Sequence, residues 1–484
     1  MNEANAFPHV SGQYLINGTW HKGRNRRQIV NPANYAETVG EVALVTEQEV
    51  TAAIEAAQQA YQSWSHQPIE DRINRMLKAA DALEPMIDEN VLLYVRENGK
   101  VLAEAKKDLA RCLDVMREAA RELKQWWKPE DWSNSSQHVQ IRRRPKGVTA
   151  IITPWNSPVL LTFKRLVPAV LTGNTVVIKP ASNCPLTAMT LIKEMATHFP
   201  PGVINIVTGS GSMIGKMLST DPRVQVISFV GGTETGKSIM KSASGTLKKL
   251  YMELGGNDPA IILPDAILDQ AEMARMRGGI LRAAGQVCSA IKRIYVHASR
   301  YEELVQKLID QFNEVQVGDG TNPDVNMGPL NNEKQYDFVQ NLIEQTKAAG
   351  RHLVTAGKKN DPSNWEKGYF ILPHIVTDAK PSDPLVHCEQ FGPIIPIIQY
   401  QEIEEAIQYA NDSIYGLRAS VWTRDREKAI ALADQIQAGA IFHNNHTVFQ
   451  DLHFDFPGLK QSGVSRETRW FSFELFADSY GFAN

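Results

Sequence analysis

Cysteine is scarce in this chain. Four occur in 484 residues, Cys112, Cys184, Cys288 and Cys388, and no two form a Cys-x-x-Cys pair. That spacing suggests neither a disulfide framework nor a paired-thiolate zinc site, and it fits a reducing, cytoplasmic setting. Long apolar runs are missing too. No stretch approaches the roughly 18 apolar residues of a membrane span. The polar residues 1–12 hold no apolar core of a secretory signal, so the Asn-x-Ser/Thr triplets at Asn17 and Asn134 read as chance matches. Charge of one sign is also lacking. The formal net charge is −3, which gives no field favouring nucleic acid or an anionic membrane. The basic run Arg142-Arg-Arg-Pro-Lys146 is short and reads as a solvated ribbon. Low-complexity tracts and internal repeats are absent.

What remains is the composition of an ordinary globular protein, too long for one simple domain. Short strands are predicted at 14–20 and 27–30. Helical periodicity follows over 47–64, 69–97 and 100–126. Val50, Ile54, Ala57 and Tyr61 share a face of the first of these helices, behind a Thr46/Glu49 capping box. An alternating strand over 137–144 leaves the body as half of a ribbon. From Gly147 the rhythm becomes β–α, with strands at 148–152, 175–178, 203–207 and 224–230, each followed by a helix. A second such run has strands at 259–263, 291–297, 394–400, 418–422 and 439–442. Its helices fall at 267–282, 299–315, 333–348, 402–410 and 425–435. The pattern predicts an α/β fold with Rossmann-type parallel sheets covered on both faces, binding nucleotide at the carboxyl ends of the strands. The aromatic tail from residue 458 reads as a return to the ribbon. Such a ribbon is marginal alone and predicts a subunit partner.

Three stretches carry chemistry. Gly285-Gln-Val-Cys288 places a lone thiol after a glycine and a polar residue, at the end of an apolar segment that reads as a helix. A lone cysteine is usually core filler. Met252-Glu253-Leu-Gly-Gly-Asn changes that balance, because a carboxylate on a glycine turn can serve as the general base of a thioester mechanism. Gly231-Gly-Thr-Glu-Thr-Gly236-Lys237-Ser238 fits a P-loop between strand and helix. It leaves a nucleoside triphosphatase open as an alternative, with Lys237 on phosphate and Ser238 on magnesium. Asp265 is the sole candidate metal partner, and Pro264 makes it a poor one. The same turn also receives a dinucleotide pyrophosphate.

The glutamate and cysteine stretches, in that order, resemble the signatures of the NAD(P)-dependent aldehyde dehydrogenase superfamily. Other motifs fall in the family's order along nearly the whole chain. Pro154-Trp155-Asn156 resembles its Pro-Trp-Asn and Lys179-Pro-Ala-Ser182 its Lys-Pro-Ala/Ser-Glu. Phe229-x-Gly231-x-Thr233-x-x-Gly236 resembles its Phe-x-Gly-Ser-x-x-x-Gly, and Glu389-x-Phe391-Gly-Pro its Glu-x-Phe-Gly-Pro. Asn411-Asp-Ser-Ile-Tyr-Gly and the strand ending at Asn444 are also in register. The family's Pro-Phe-Gly-Gly departs to Asp455-Phe-Pro-Gly458.

The resemblance implies Cys288 as nucleophile, Asn156 in the oxyanion hole and Glu253 as the base that activates water. It places NAD or NADP against Trp155, Lys179, Ser182, Gly231, Thr233, Gly236, Leu254, Glu389 and Phe391. Ser182 stands where NAD-selective relatives carry glutamate, so acceptance of NADP is expected. No metal is expected, since His387-Cys388-Glu389 lacks a matching ligand set. By register, Lys164, Arg282, Asn444, His446 and Phe449 fall around the aldehyde mouth. Positive charge there favours a small polar or carboxylated aldehyde, a semialdehyde above all. The bland alternative pairs Arg282 and Lys164 with surface acids. A catalytically silent nucleotide-binding relative is a further alternative, which the intact Cys288, Glu253 and Asn156 disfavour. The implied parts are a cofactor domain (1–125 and 146–254), a catalytic domain (255–440) and an oligomerisation ribbon with tail (126–145 and 441–484). A homodimer or homotetramer is expected.

Overall fold

The aliphatic stretch Val148–Ile152 lies at the centre of a parallel sheet. In the computed structural model, which describes residues 8–446, 458–464 and 472–483, Thr175–Lys179 and Ile204–Ile206 follow on one side. Val224–Val230 and Lys249–Glu253 lie on the other. The order therefore reverses between Val148–Ile152 and Val224–Val230, and a crevice opens beyond their carboxyl ends. Alternate residues serve opposite faces. Ile151, Val176 and Ile178 pack into one core, and Ala150, Ile152 and Val177 into another. This is the period-2 split of a sheet covered on both sides.

A second sheet repeats the plan. Asp258–Ile262 is central, with Ile291–His297 and Ile394–Tyr400 on one side and Arg418–Trp422 and Ala440–His443 on the other. Only residues 254–257 separate the end of Lys249–Glu253 from the start of Asp258–Ile262. The carboxyl edge of the first sheet thus faces the amino edge of the second. Buried Arg293 fixes this junction. Its Nε and Nη2 donate to the Asn257 carbonyl at 2.9 and 2.7 Å, while Nη2 also reaches the Ala410 carbonyl at 3.0 Å.

Val139–Pro145 pairs with Ala477–Ala483 over seven residues, as the tail's composition suggested. Glu130–Asp131 adds a third strand. Among the described residues no helix is long and apolar enough to cross a membrane.

The structure corrects several sequence expectations. The strand expected at 14–20 is a hairpin, Gln13–Ile16 with Thr19–Lys22, turning on left-handed Asn17 and Gly18. The strand expected at 27–30 pairs with Asn34–Ala43, which the sequence pattern did not distinguish. The helix expected over 69–97 is two, Ile69–Leu83 and Met86–Asn98, because Pro85 has no N–H to continue the ladder. Lys249–Glu253, Leu353–Thr355 and His374–Val376 were also unforeseen as strands. Such short runs, given order by pairing, carry little periodicity of their own.

Candidate active site

Two cavities meet at Cys288. One, of about 920 Å³, runs along the carboxyl edge of the first sheet. The other, of about 540 Å³, is lined by Lys100, Glu104, Asp108, Lys164, Glu253 and Arg282 among others. Both are lined by Asn156, Leu161, Leu254 and Cys288.

The loop that presents the thiol is strained. The helix Gln270–Leu281 ends short of the expected 282. Ala283, Ala284 and Gly285 follow with φ of 50°, 56° and 77°. A left-handed alanine costs roughly 1–2 kcal/mol, so the surroundings must impose the turn. Glu104 accepts the Ala283 N–H at 2.9 Å, and the Gln286 side-chain amide donates to the Ala283 carbonyl at 2.8 Å. The Asn331 N–H donates to Gln286 Oε1 at 2.9 Å, and Asn156 Nδ2 donates to the Gln286 carbonyl at 3.0 Å. Gly285 fits because a β carbon there would lie 2.5 Å from the Gly392 carbonyl oxygen.

Glu253 ends its strand in the 540 Å³ cavity with Cys288, as an ion pair with buried Arg165. Arg165 thus holds the carboxylate. Burial pushes the Cys288 thiol up to about 11, the Lys292 charge acts to lower it, and Glu253, Glu389 and Asp258 raise it further. The resting group is a neutral thiol, and positive charge brought beside it favours the nucleophilic thiolate.

The larger cavity fits a dinucleotide. Gly211, Gly215 and Gly232 line it, and a β carbon at any of them would meet nothing within 4 Å. Gly232 begins the helix Thr233–Ala243 without a side-chain cap, leaving first-turn N–H groups for an anion. Trp155, Lys179, Gly231, Leu254, Glu389 and Phe391 also line this cavity. Lys179 is buried and lowered to about 8 by that burial, then by the nearby Arg27 charge. Its Nζ donates to Ser182 Oγ at 2.9 Å. Glu389 Oε1 accepts the Gly256 N–H at 2.9 Å, and the carboxyl is raised by burial. Phe391 meets Trp155 edge-on at 5.3 Å.

Three expected cofactor residues stand behind this wall rather than in it. Ser182 Oγ donates to the Gly209 carbonyl at 3.0 Å. Thr233 Oγ1 turns to the Gln461 carbonyl at 3.4 Å. Gly236 gives room to Leu254, whose Cδ2 would lie 2.7 Å from a β carbon. The helix expected after the 203–207 strand is Gly211–Thr220, but the sequence reading gave it no cofactor role, and its Ser212 and Lys216 also line the cavity. Its Gly-Ser-Gly-Ser run after a strand was the available signal. Lys237 is ion-paired with Glu234 at 2.7 Å on the exposed helix surface, so it does not act as a P-loop lysine.

The smaller cavity is basic. Seven Lys and Arg side chains line it, against Glu104, Asp108 and Glu253. Lys164 and Arg282 are among the seven, and no ion pair ties Arg282 to a described residue. Ser157 donates to Asp108 Oδ2 at 3.1 Å. Asn444 and His446 do not reach this cavity. The Asn444 amide folds back on Thr423, with Oδ1 accepting its N–H at 2.9 Å and Nδ2 donating to its carbonyl at 2.8 Å. His446 is fully buried, with Nδ1 on Ser420 Oγ at 2.9 Å and Nε2 3.7 Å from Asp258 Oδ2. These hydrogen bonds, with a left-handed backbone at Asn444, turn both side chains from the place expected of them. Phe449 and residues 455–457 lie outside the described residues.

A nucleotide-type cleft that meets a second cavity beside a thiol, a carboxylate and an amide marks a nucleotide-dependent oxidoreductase. Comparison with known proteins agrees. The family model for the aldehyde dehydrogenase family matches residues 20–479. The chain is 34% identical to alpha-ketoglutaric semialdehyde dehydrogenase of Bacillus subtilis, covering 94% of each chain. It is also 34% identical to phenylacetaldehyde dehydrogenase of Pseudomonas fluorescens, over 95% of this chain and 93% of that one. A crystal structure of betaine aldehyde dehydrogenase from Staphylococcus aureus, a mutant in complex with NAD+, superposes with a TM-score of 0.92 at 32% identity, covering 98% of both chains. The chain belongs to the aldehyde dehydrogenase family and is an NAD(P)-dependent enzyme that oxidises aldehydes to carboxylic acids. The triphosphatase alternative falls with this assignment.

The thiol's environment sets one expectation. Without cofactor, alkylation of Cys288 by iodoacetamide should rise about tenfold per pH unit from pH 7 to 10, as the thiolate fraction grows. A plateau below pH 8, read from inactivation rates, would contradict a thiol raised in this way.

Proposed function

We propose that Cys288, Asn156 and Glu253 carry the reaction, on an aldehyde that bears a carboxylate. The observation behind the first part is the meeting of both cavities at Cys288 and Asn156. The Cys288 thiolate adds to the aldehyde carbon. The oxygen becomes an oxyanion, placed to receive the Asn156 amide once that donor leaves the Gln286 carbonyl. The bound nicotinamide supplies the hydride acceptor, from the 920 Å³ side. The acyl group is then a thioester on Sγ. Glu253 takes a proton from water, hydroxide adds to the thioester carbon, and the acid leaves as the thiolate re-forms. Gly232 and the helix start behind it hold the pyrophosphate, and Lys179 and Glu389 hold the two ends of the dinucleotide. In this reading the first sheet is the cofactor domain and the second the catalytic domain.

The carboxylated substrate is supported by the charge of the smaller cavity. Arg282 is exposed at its wall without an ion-pair partner among the described residues, and guanidinium binds carboxylate bidentately. The semialdehyde dehydrogenase relative supports the same class, while the phenylacetaldehyde and betaine aldehyde relatives show that the family alone does not choose it. We further propose that the ribbon joins subunits in a homo-oligomer. Trp132 and Phe482 there are 65% and 50% exposed, an unusual setting for large apolar side chains unless a partner covers them.

Glu253→Gln should release about one equivalent of reduced cofactor per active site and then stall at the thioester, as stopped-flow absorbance at 340 nm would show; unchanged steady-state turnover removes Glu253 from the role. Arg282→Ala should lower kcat/KM for succinate semialdehyde about tenfold or more, consistent with roughly 1.5–3 kcal/mol for a charged hydrogen bond, and leave propanal within about twofold. Equal losses on both aldehydes, or none, would contradict the carboxylate assignment. Sedimentation at micromolar concentration should find a species at least twice the 54.0 kDa chain mass, and a purely monomeric boundary would exclude the oligomer.

A further inference from the structure

Lys292 is a buried lysine, 3% exposed, at the second position of the strand Ile291–His297. Its Nζ donates to the carbonyl oxygens of Cys288 at 2.6 Å, Val287 at 2.9 Å and Ala290 at 3.4 Å. An ammonium has three donors and no acceptor, so all three hydrogens go to the loop that carries the nucleophile. The lysine is itself held in place. Its carbonyl accepts from Gln390 Nε2 at 3.1 Å, beside Glu389. From the other side, Gly256 closes on the same Cys288 oxygen, which would lie 2.5 Å from a β carbon there.

Peptide geometry turns this grip into an orientation. A trans peptide is planar, with its C=O and N–H pointing in opposite directions. Holding the Val287 oxygen on Lys292 therefore sends the Cys288 N–H away from Lys292. That N–H donates to no described residue. Buried backbone donors are nearly always paired, and Cys288 lines both cavities. A donor left open at a reacting centre is what an oxyanion hole requires.

We infer that Lys292 is a positioning residue of the nucleophile loop, holding the 287–288 peptide so that the Cys288 N–H meets the developing oxyanion beside Asn156. The inference rests on Cys288 being the nucleophile. The lysine has a second effect, since its charge favours the thiolate against Glu253, Glu389 and Asp258; buried His446 also lies near enough to Lys292 for their charges to interact. The test must separate the two effects.

Two reactions at Cys288 do so. Alkylation by iodoacetamide needs the thiolate and builds no oxyanion. The pre-steady-state burst of reduced cofactor, with succinate semialdehyde and NAD+, needs both. In Lys292→Met the burst rate constant should fall about 100-fold, the scale of one lost oxyanion donor. Alkylation at the same pH should fall by no more than about tenfold, the effect of about one unit in the thiol pKa. A burst loss exceeding the alkylation loss by about tenfold or more is the expected result. Equal losses, or no loss in either, would overturn the inference alone. Lys292→Gln gives the same comparison should the methionine variant not fold, because its neutral amide can hold only part of the loop. Mass spectrometry locates the label. A label elsewhere, or a burst surviving Cys288→Ser, would overturn the nucleophile assignment and this inference with it.

Discussion

Gly256 has no room for a β carbon, because the carbonyl oxygen of Cys288 would lie 2.5 Å from it. The turn that follows Glu253 and the loop that carries Cys288 therefore touch through bare backbone. The contact needs glycine on one side and a carbonyl fixed by Lys292 on the other. Arg293 pins the next residue of the turn, Asn257, through its carbonyl. Glu389 takes the Gly256 N–H from the cofactor side. Glu253, Cys288 and the wall of the larger cavity are thus registered through one tetrapeptide. A displacement of about an ångström at this junction would disturb all three, and reacting groups tolerate little more than that.

The electrostatics follow from the same crowding. Glu253, Glu389 and Asp258 lie near enough to Cys288 to oppose its ionisation, while Lys292 acts the other way. Burial outweighs Lys292, so the thiol rests protonated. This suits an enzyme that should not react before its cofactor is in place. Arg165 performs the matching service for Glu253, ion-pairing the carboxylate. The smaller cavity sets Lys and Arg side chains along the same wall as Glu253 and Cys288, so positive charge outnumbers negative there.

The glycine-rich turn at residues 231–238 shows how local pattern can mislead. Strand, glycine turn and helix start are all present, and a β carbon at Gly232 would meet open space. Those features bind an anion in either a triphosphatase or a dinucleotide enzyme. What separates them is the lysine, and here Lys237 points along the helix surface to Glu234. Gly236, which completes the P-loop pattern, is glycine because Leu254 packs against it.

Sequence alone determined the α/β class, since buried parallel strands write themselves as aliphatic runs and their covering helices as 3.6-residue periods. It also pointed to the family, because Cys288, Glu253 and Asn156 sit in motifs whose order along the chain is informative. It could not determine short strands such as Lys249–Glu253, which exist through their pairing with Val224–Val230. Nor could it show that Pro85 divides a helix whose apolar period continues across it. Side-chain direction was beyond it as well. Ser182, Thr233, Asn444 and His446 occupy the expected positions in the chain, but hydrogen bonds to Gly209, Gln461, Thr423 and Ser420 turn them from the cavities. Lys292 carried no motif at all, and its three carbonyl partners exist only because the loop at Val287, Cys288 and Ala290 folds back over the start of its own strand. Residue type and order along the chain fix what chemistry is available. Which atoms face one another is decided by long-range packing and by the need of every buried polar group for a partner.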